Sequence, residues 1–348
     1  MTNYDQHGVR TQNRRNVLDY IATKGVVSRQ EIVEHTGSSM TTVLAITDFL
    51  IKKHIITVEG EIKTARGRHP QRLKYNPDGI KAIAIEYDGK NAKVALCNAL
   101  GEELSFIESE VSDDIRVFFR EELPPLVKSV APMTRTILGA GISMSGDFSP
   151  DGEFFIFGAP SEIKGIDEFS SLKKEFCENI GLNLYCYNDG NAAAWGEFLK
   201  RGRLDDDLVF IYVGEGIGSG LILDGKLRTG NKFAAGEIGY MVYDPDFRTS
   251  NARAGWFEQN LSNDKGQDKC ENVEKLISLA IANVSNVLDV QTFVVKSFLG
   301  DESLDHIQKI VDKLSLNPVN IVAPLCRHSA LSGVATLVLN EEINKILE

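Results

Sequence analysis

Between His69 and His306 the chain has no histidine, and none of its five cysteines (Cys97, Cys177, Cys186, Cys270, Cys326) forms a C-x-x-C pair. A zinc cluster in the middle of the chain would lack its usual ligands, and a disulfide framework would lack its spacing. No apolar run approaches the ~20 residues that a membrane helix needs. The polar start, MTNYDQHGVRTQNRRN, has no apolar signal core, so the expectation is a cytoplasmic chain that makes no membrane contact.

What is present is ordinary in amount and uneven in placement. The 348 residues are 43% hydrophobic and 25% charged, enough for about two or three folded domains. The net charge of -11 divides sharply: residues 1–76 carry 12 Lys/Arg against 7 Asp/Glu, and the rest is strongly acidic. A basic head on an acidic body points to an anionic polymer that meets the head alone.

Local patterns in the head agree. NRRNVLDYIATKG spaces Val17, Leu18 and Ile21 as one helical face, ended by Lys24-Gly25. SRQEIVEHTG opens with Ser28 and Glu31 at capping-box spacing. Gly37 then turns the chain, and Ser39 caps a helix with Val43, Ile46, Leu50 and Ile51 inward. IITVEGEIKTA reads as a hairpin turning at Glu59-Gly60. Three helices and a ribbon describe a winged helix-turn-helix over residues 1–76. In such a head Ser39, Met40, Thr41 and Thr42 would face the major groove of double-stranded operator DNA. Arg66 and Arg68, around Gly67 in a basic GRHP linker, suit a narrow minor groove.

From residue 77 to 348 strands and helices alternate. IKAIAIEYDGKNAKVALCNALGEEL reads as strand-turn-strand, and LNLYCYNDGNAAAWGEFLKRG as a strand running into an alanine-rich helix. DDLVFIYVGEGIGSGLILDGKLRTG is a hairpin turning at Asp224-Gly225. The expected fold class is α/β, with a body of two lobes around a cleft. Taken together, YNDGNAAAWGE, GEGIGSGLILDGKLRTGNKFAAGEIGY and GISMSGDFSPDGEF, behind this head, resemble the ROK family. That family holds bacterial repressors, xylose and N-acetylglucosamine regulators among them, and sugar kinases of actin-like, hexokinase-type, ribonuclease-H-like fold.

The resemblance implies a sugar site and a lost phosphate site. Asp189 matches the family's catalytic base and Asn188 its neighbouring sugar contact. Glu237 matches a sugar-binding glutamate, Tyr240 replaces a histidine that touches sugar and zinc, and Ser161 replaces an asparagine. The zinc cysteines correspond to the cysteine-free TSNARAGW, where Gly255 and Glu258 remain. In the phosphate loops an aspartate replaces a glycine in Glu86-Tyr87-Asp88-Gly89-Lys90, and Glu215 stands where a small residue is usual. Lys296-Ser297-Phe298 replaces the adenosine turn. Two like charges ~4 Å apart repel by roughly 4 kcal/mol at an effective dielectric of ~20, so acidic loops disfavour a triphosphate. Gly214, Gly216, Gly218 and Gly220 are then expected to keep a tight turn.

The expectation is a homodimeric or homotetrameric transcriptional regulator of carbohydrate genes. It would bind a small sugar-like effector, with no catalysis (Asp189 a vestigial base), no zinc and no ATP. The alternatives are an ATP-dependent ROK sugar kinase carrying a DNA-binding head, and control by a protein partner.

Overall fold

The computed structural model describes residues 6–61, 71–132, 134–149, 152, 155–157, 163, 166–202, 207–214, 216–244, 255–263 and 268–348. The head comprises α1 (Gln6–Lys24), β1 (Val27–Ser28), α2 (Arg29–Thr36), α3 (Met40–Lys52), β2 (Ile56–Glu61) and β3 (Gln71–Tyr75). The capping box forms: Ser28 accepts the Glu31 amide, and the Glu31 carboxylate accepts the Ser28 amide at 2.7 Å. Gly37 ends α2 at φ 67°, a left-handed conformation that suits glycine. Ser39 caps α3 by accepting the Thr42 amide at 3.1 Å. Val43, Ile46 and Leu50 are buried against Val17, Ile21 and Ile32.

The ribbon differs from the sequence expectation. No turn occurs at Glu59-Gly60; β2 runs through it with a bulge between Val58 and Gly60 and pairs with β3, Glu61 opposite Gln71. The physical reason is Leu73. It is fully buried opposite Val58 and Val27, so β3 completes the core of the head. Gln71–Tyr75 is therefore a strand of the head rather than a linker. Residues 62–70, which join the two paired strands, lie outside the described residues, and Arg66 and Arg68 with them.

The first lobe contains β4 (Lys81–Tyr87), β5 (Asn91–Asn98), β6 (Glu103–Glu110), α4 (Ile115–Val117), a π-helical turn (Phe118–Glu122) and α5 (Leu123–Val130). It continues with β7 (Ile137–Met144), β8 (Asp147–Phe148), β9 (Phe155–Phe157), α6 (Ile166–Ile180), β10 (Leu184–Asn188) and α7 (Asp189–Lys200). The second lobe has β11 (Leu208–Val213), β12 (Ile217–Leu223), β13 (Lys226–Leu227), a 3-10 turn (Ile238–Tyr240), α8 (Trp256–Asn263), α9 (Asp268–Leu288), β14 (Thr292–Ser297), α10 (Glu302–Leu314), β15 (Asn320–Val322) and α11 (Ser329–Leu347).

The two lobes repeat one topology. Their five-stranded sheets run β10-β7-β4-β5-β6 and β15-β14-β11-β12-β13. In each, the first three strands are antiparallel and the last two join in parallel. The closing helices are exchanged. α7 leaves the first sheet and packs on β11 and β12, while α11 leaves the second and packs on β4 and β7.

α7 and α11 cross at backbone distance. A Cβ on Gly196 would collide with the Ser329 carbonyl, and one on Gly333 with the Ala192 carbonyl. Glu197, fully buried on α7, fastens the start of α11 by accepting the amides of Leu325 and Cys326 and the Ser329 hydroxyl at 2.8–2.9 Å. At its other end α11 meets the head. Arg14, 6% exposed, donates to the Leu347 carbonyl at 2.6 Å and lies over the Phe49 ring of α3. Arg15 reaches Asn340 and Asn344. One apolar cluster runs from the head through α7 and α11 into both sheets.

Gly333→Ala should lower stability by about 1–3 kcal/mol, the usual cost of forcing a methyl into a packed interior. Gly60→Ala, with open space around it, should stay within about 0.5 kcal/mol. Urea unfolding of both variants measures this, and a near-neutral Gly333→Ala would refute the close helix crossing.

Candidate functional site

The end of β10 builds one wall of the cleft. Asn188 caps α7 by accepting the Asn191 amide at 2.9 Å, and its Nδ2 donates to the Gly146 carbonyl at 3.3 Å. Both ends of its side chain are thus engaged, Oδ1 in the cap and Nδ2 tying β10 to the Ser145-Gly146 loop. Asp189, the first residue of α7, accepts the Gly190 amide at 2.8 Å, at the helix end that favours an anion. Burial raises its carboxyl pKa, the Gly190 amide opposes this, and the Glu86 charge adds to it.

The glycines of GEGIGSG do something other than the expected tight turn. Gly218 and Gly220 lie within β12. A Cβ on Gly220 would collide with the Gly190 carbonyl, and a Cβ on Gly218 would come 3.7 Å from Asp189 Oδ1. Their absent side chains let the start of α7 sit directly on β12. Gly214 and Gly216 do flank the turn, where the Gly214 amide donates to the Gly216 carbonyl at 2.9 Å.

On the far wall, Glu237 and Tyr240 come from the 3-10 turn and its approach. The Glu237 carboxyl is pushed up to about 7 by burial and by the charges of Asp147, Glu258 and Asp189. Burial and the charges of Glu258, Glu237 and Asp147 also raise the Tyr240 hydroxyl. Glu258 is a fastener. Its two oxygens accept the Gly255 amide at 3.0 Å and the Ile217 amide at 3.4 Å, joining α8 to β12. Behind Glu237, between β12 and α9, lies an apolar cavity of about 340 Å³ lined by Leu221, Ile238, Met241 and Val284.

Asp147 is the residue that the sequence reading missed. It stands on β8, just past the loop that Asn188 holds, and is 2% exposed. No hydrogen-bond donor reaches its Oδ2. Burial and the Asp189 charge push its carboxyl up to about 6. The signal was an acidic residue inside the otherwise apolar and small GISMSGDF, where a solvent-facing loop would not need one.

The structure therefore brings Asn188, Asp189, Glu237 and Tyr240 together, adds Asp147, and leaves Ser161 outside the described residues. In the head, Met40 and Leu44 are 44% and 45% exposed and Thr41 is exposed beside them, with Ser39 and Thr42 in the capping turn.

The phosphate loops are internally occupied. Asp88 Oδ1 accepts the amides of Lys90 and Asn91 at 2.9 and 2.7 Å, groups that could otherwise hold an anion. In the second loop the Tyr212 hydroxyl lies where a Cβ on Gly214 would fall, so the ring covers the turn. Glu215 lies outside the described residues. Lys93 neutralises Glu86 across the strand pair at 2.7 Å. Among the described residues no three His, Cys, Asp or Glu side chains converge as a metal cage.

The description "ROK family" matches residues 82–264, more than half of the chain. The chain belongs to the ROK family. It is 30% identical over 235 residues to a xylose repressor of Caldicellulosiruptor bescii, a match covering 66% of this chain and 58% of that repressor. Among solved structures it resembles a ROK family transcriptional regulator, a homologue of the E. coli MLC protein. The TM-score is 0.78 at 19% identity, over 98% of both chains. A ROK glucokinase from Streptomyces griseus, solved with glucose and AMPPNP, matches at TM-score 0.63 and 19% identity. That match covers 75% of this chain and 99% of the kinase. These likenesses confirm the actin-like ROK body. No helix among the described residues is long and apolar enough to cross a membrane.

The acid cleft has a consequence for stability. A carboxyl whose folded pKa is raised favours the folded state below its unfolded pKa, and that stability is lost as pH rises through the folded pKa. For Asp147 the window lies between about pH 4 and pH 6. Asp147→Asn should therefore raise the Tm at about pH 7.5, and the gain should shrink toward zero below about pH 4. Thermal denaturation across this range measures it, and a gain independent of pH would contradict the assigned burial.

Proposed function

We propose that this ROK protein is a DNA-binding transcriptional regulator, a repressor of carbohydrate genes, that responds to a sugar-like effector held between its lobes. The observation that carries the reading is a helix-turn-helix head fused, through buried contacts, to a sugar-kinase-like body. The start of α3 presents Met40, Thr41 and Leu44 to solvent while its other face is locked in the core, the arrangement that a groove-reading helix requires. Similarity to a xylose repressor and to a ROK regulator supports it. Repressors of this architecture read paired half-sites, so the acting form is a homodimer or homotetramer on operator DNA.

Asn188, Asp189, Glu237 and Tyr240 form the effector site, with Ser161 as a further contact. Because α7 begins at Asp189 and crosses α11, and α11 ends on Arg14 under Phe49 of α3, closure of the cleft on a ligand has a packed route to the reading helix. The ligand acts as a switch only if it binds the two arrangements with different affinity. Asp189 is a hydrogen-bond acceptor for a hydroxyl rather than a catalytic base, and neither zinc nor ATP is a cofactor. The amides of the first phosphate loop are held by Asp88 and the second loop is covered by Tyr212.

Selection of genomic fragments by the full chain, followed by sequencing, tests the DNA reading. A palindrome should be enriched by the parent and lost in Thr41→Glu, which places a negative charge where the phosphates approach. Equal enrichment by both proteins would overturn the role of α3. Arg68→Ala should weaken operator binding and flatten its dependence on salt.

The rival reading, a sugar kinase with a DNA-binding head, is separated by ATP. Incubation with magnesium-ATP and a panel of sugars should give no ADP, and ATP should not raise the Tm. Turnover with any sugar would overturn the non-catalytic reading.

A further inference from the structure

The cleft's charge is its least ordinary property. Three carboxylates lie close together: the Asp189 charge raises the proton affinity of Asp147, and Asp147 and Asp189 both raise that of Glu237. Glu258 beside them is already satisfied by two backbone amides, and Glu86 by Lys93. Asp147 is not satisfied: it is 2% exposed, and its Oδ2 meets no donor. A buried carboxylate oxygen without a partner costs free energy until a donor arrives, and a charged donor compensates more fully than a neutral one. Asp147 follows directly on Gly146, whose carbonyl is held by Asn188 beside Asp189, so that need lies at the C-terminal end of β10.

We infer that the effector is a cationic polyol, an amino sugar in its ammonium form, whose amine is recognised by Asp147 while its hydroxyls meet Asp189 and Glu237. This inference rests on the reading of the cleft as an effector site. The alternatives fail on charge. A phosphorylated sugar would bring further negative charge into a site where, among the described residues, the nearby lysine Lys93 is tied to Glu86. A neutral sugar supplies donors but leaves the three carboxylates repelling one another. An ammonium group supplies both the donors and the missing charge, and it draws the carboxyls toward their ionised forms. Asp147 is on this account a specificity-determining residue.

The test uses the full chain at about pH 6.5 and three matched pairs: glucosamine and glucose, mannosamine and mannose, galactosamine and galactose. Glucosamine 6-phosphate is included as the anionic member. Affinity is read by calorimetry and by the ligand-induced rise in Tm. In at least one pair the amine should bind about ten-fold or more tightly than its neutral partner, the preference of one charge-assisted hydrogen bond. The phosphate ester should bind more weakly than the free amine. Asp147→Asn, which removes the charge and keeps the shape, should bring that pair to within about two-fold, with its own Tm at neutral pH serving as the measure of folding.

If in every pair that binds the neutral sugar binds as well as its amine, or better, the inference is overturned and the sugar-responsive reading stays intact. An amine preference that survives Asp147→Asn overturns the role of Asp147. If no member of any pair binds, both the inference and the sugar-responsive reading fall, and control through a partner protein becomes the reading to pursue.

Discussion

The structure depends on one close contact: α7 and α11 cross with glycine against backbone carbonyl at Gly196 and Gly333. Each helix comes from one lobe and packs on the sheet of the other, so this crossing joins the lobes. Its polar side is equally constrained. The buried Glu197 carboxylate takes the amides of Leu325 and Cys326, in the loop before α11, and the hydroxyl of Ser329 at its first residue. Gly190 and Gly220 repeat the device, bringing α7 onto β12 just below the Asp189 carboxylate.

The far end of α11 extends this rigid unit into the head. A buried arginine is costly unless its charge is met, and Arg14 meets the carbonyl end of α11 on one side and the Phe49 ring on the other. The head therefore shares a continuous apolar core with the body instead of hanging from a flexible tether. That arrangement suits a molecule in which a small movement between lobes must be felt by the face of α3. The Lys90 and Asn91 amides are spent on Asp88, and among the described residues negative charge gathers at Asp147, Asp189 and Glu237.

Much of the local structure was legible in the residues. The capping box at Ser28 and Glu31, the Ser39 cap, the buried stripe Val43, Ile46 and Leu50, and the Asp224-Gly225 turn all formed as read. Each is settled within a few residues by hydrogen bonding or helical period. The family motifs were contiguous and in order, so the ROK fold was legible as well. The misreadings share one cause. Glu59-Gly60 has the composition of a turn, yet the burial of Leu73, more than ten residues on, chose a longer strand. Gly218 and Gly220 look like loop glycines, yet the approach of a helix from the other lobe explains them.

The sequence by itself determined the alternation of helix and strand, the two chemical halves of opposite charge, and the membership of a family, because these follow from neighbouring residues and composition. Tertiary structure decided which of its many acidic residues stand together. Asp147 and Glu237 are about ninety residues apart and carry no mark that links them. Their shared burial, with the free oxygen of Asp147 among them, arises only when β8, β10 and the 3-10 turn converge, because desolvation and repulsion are properties of distance in space rather than of order along the chain.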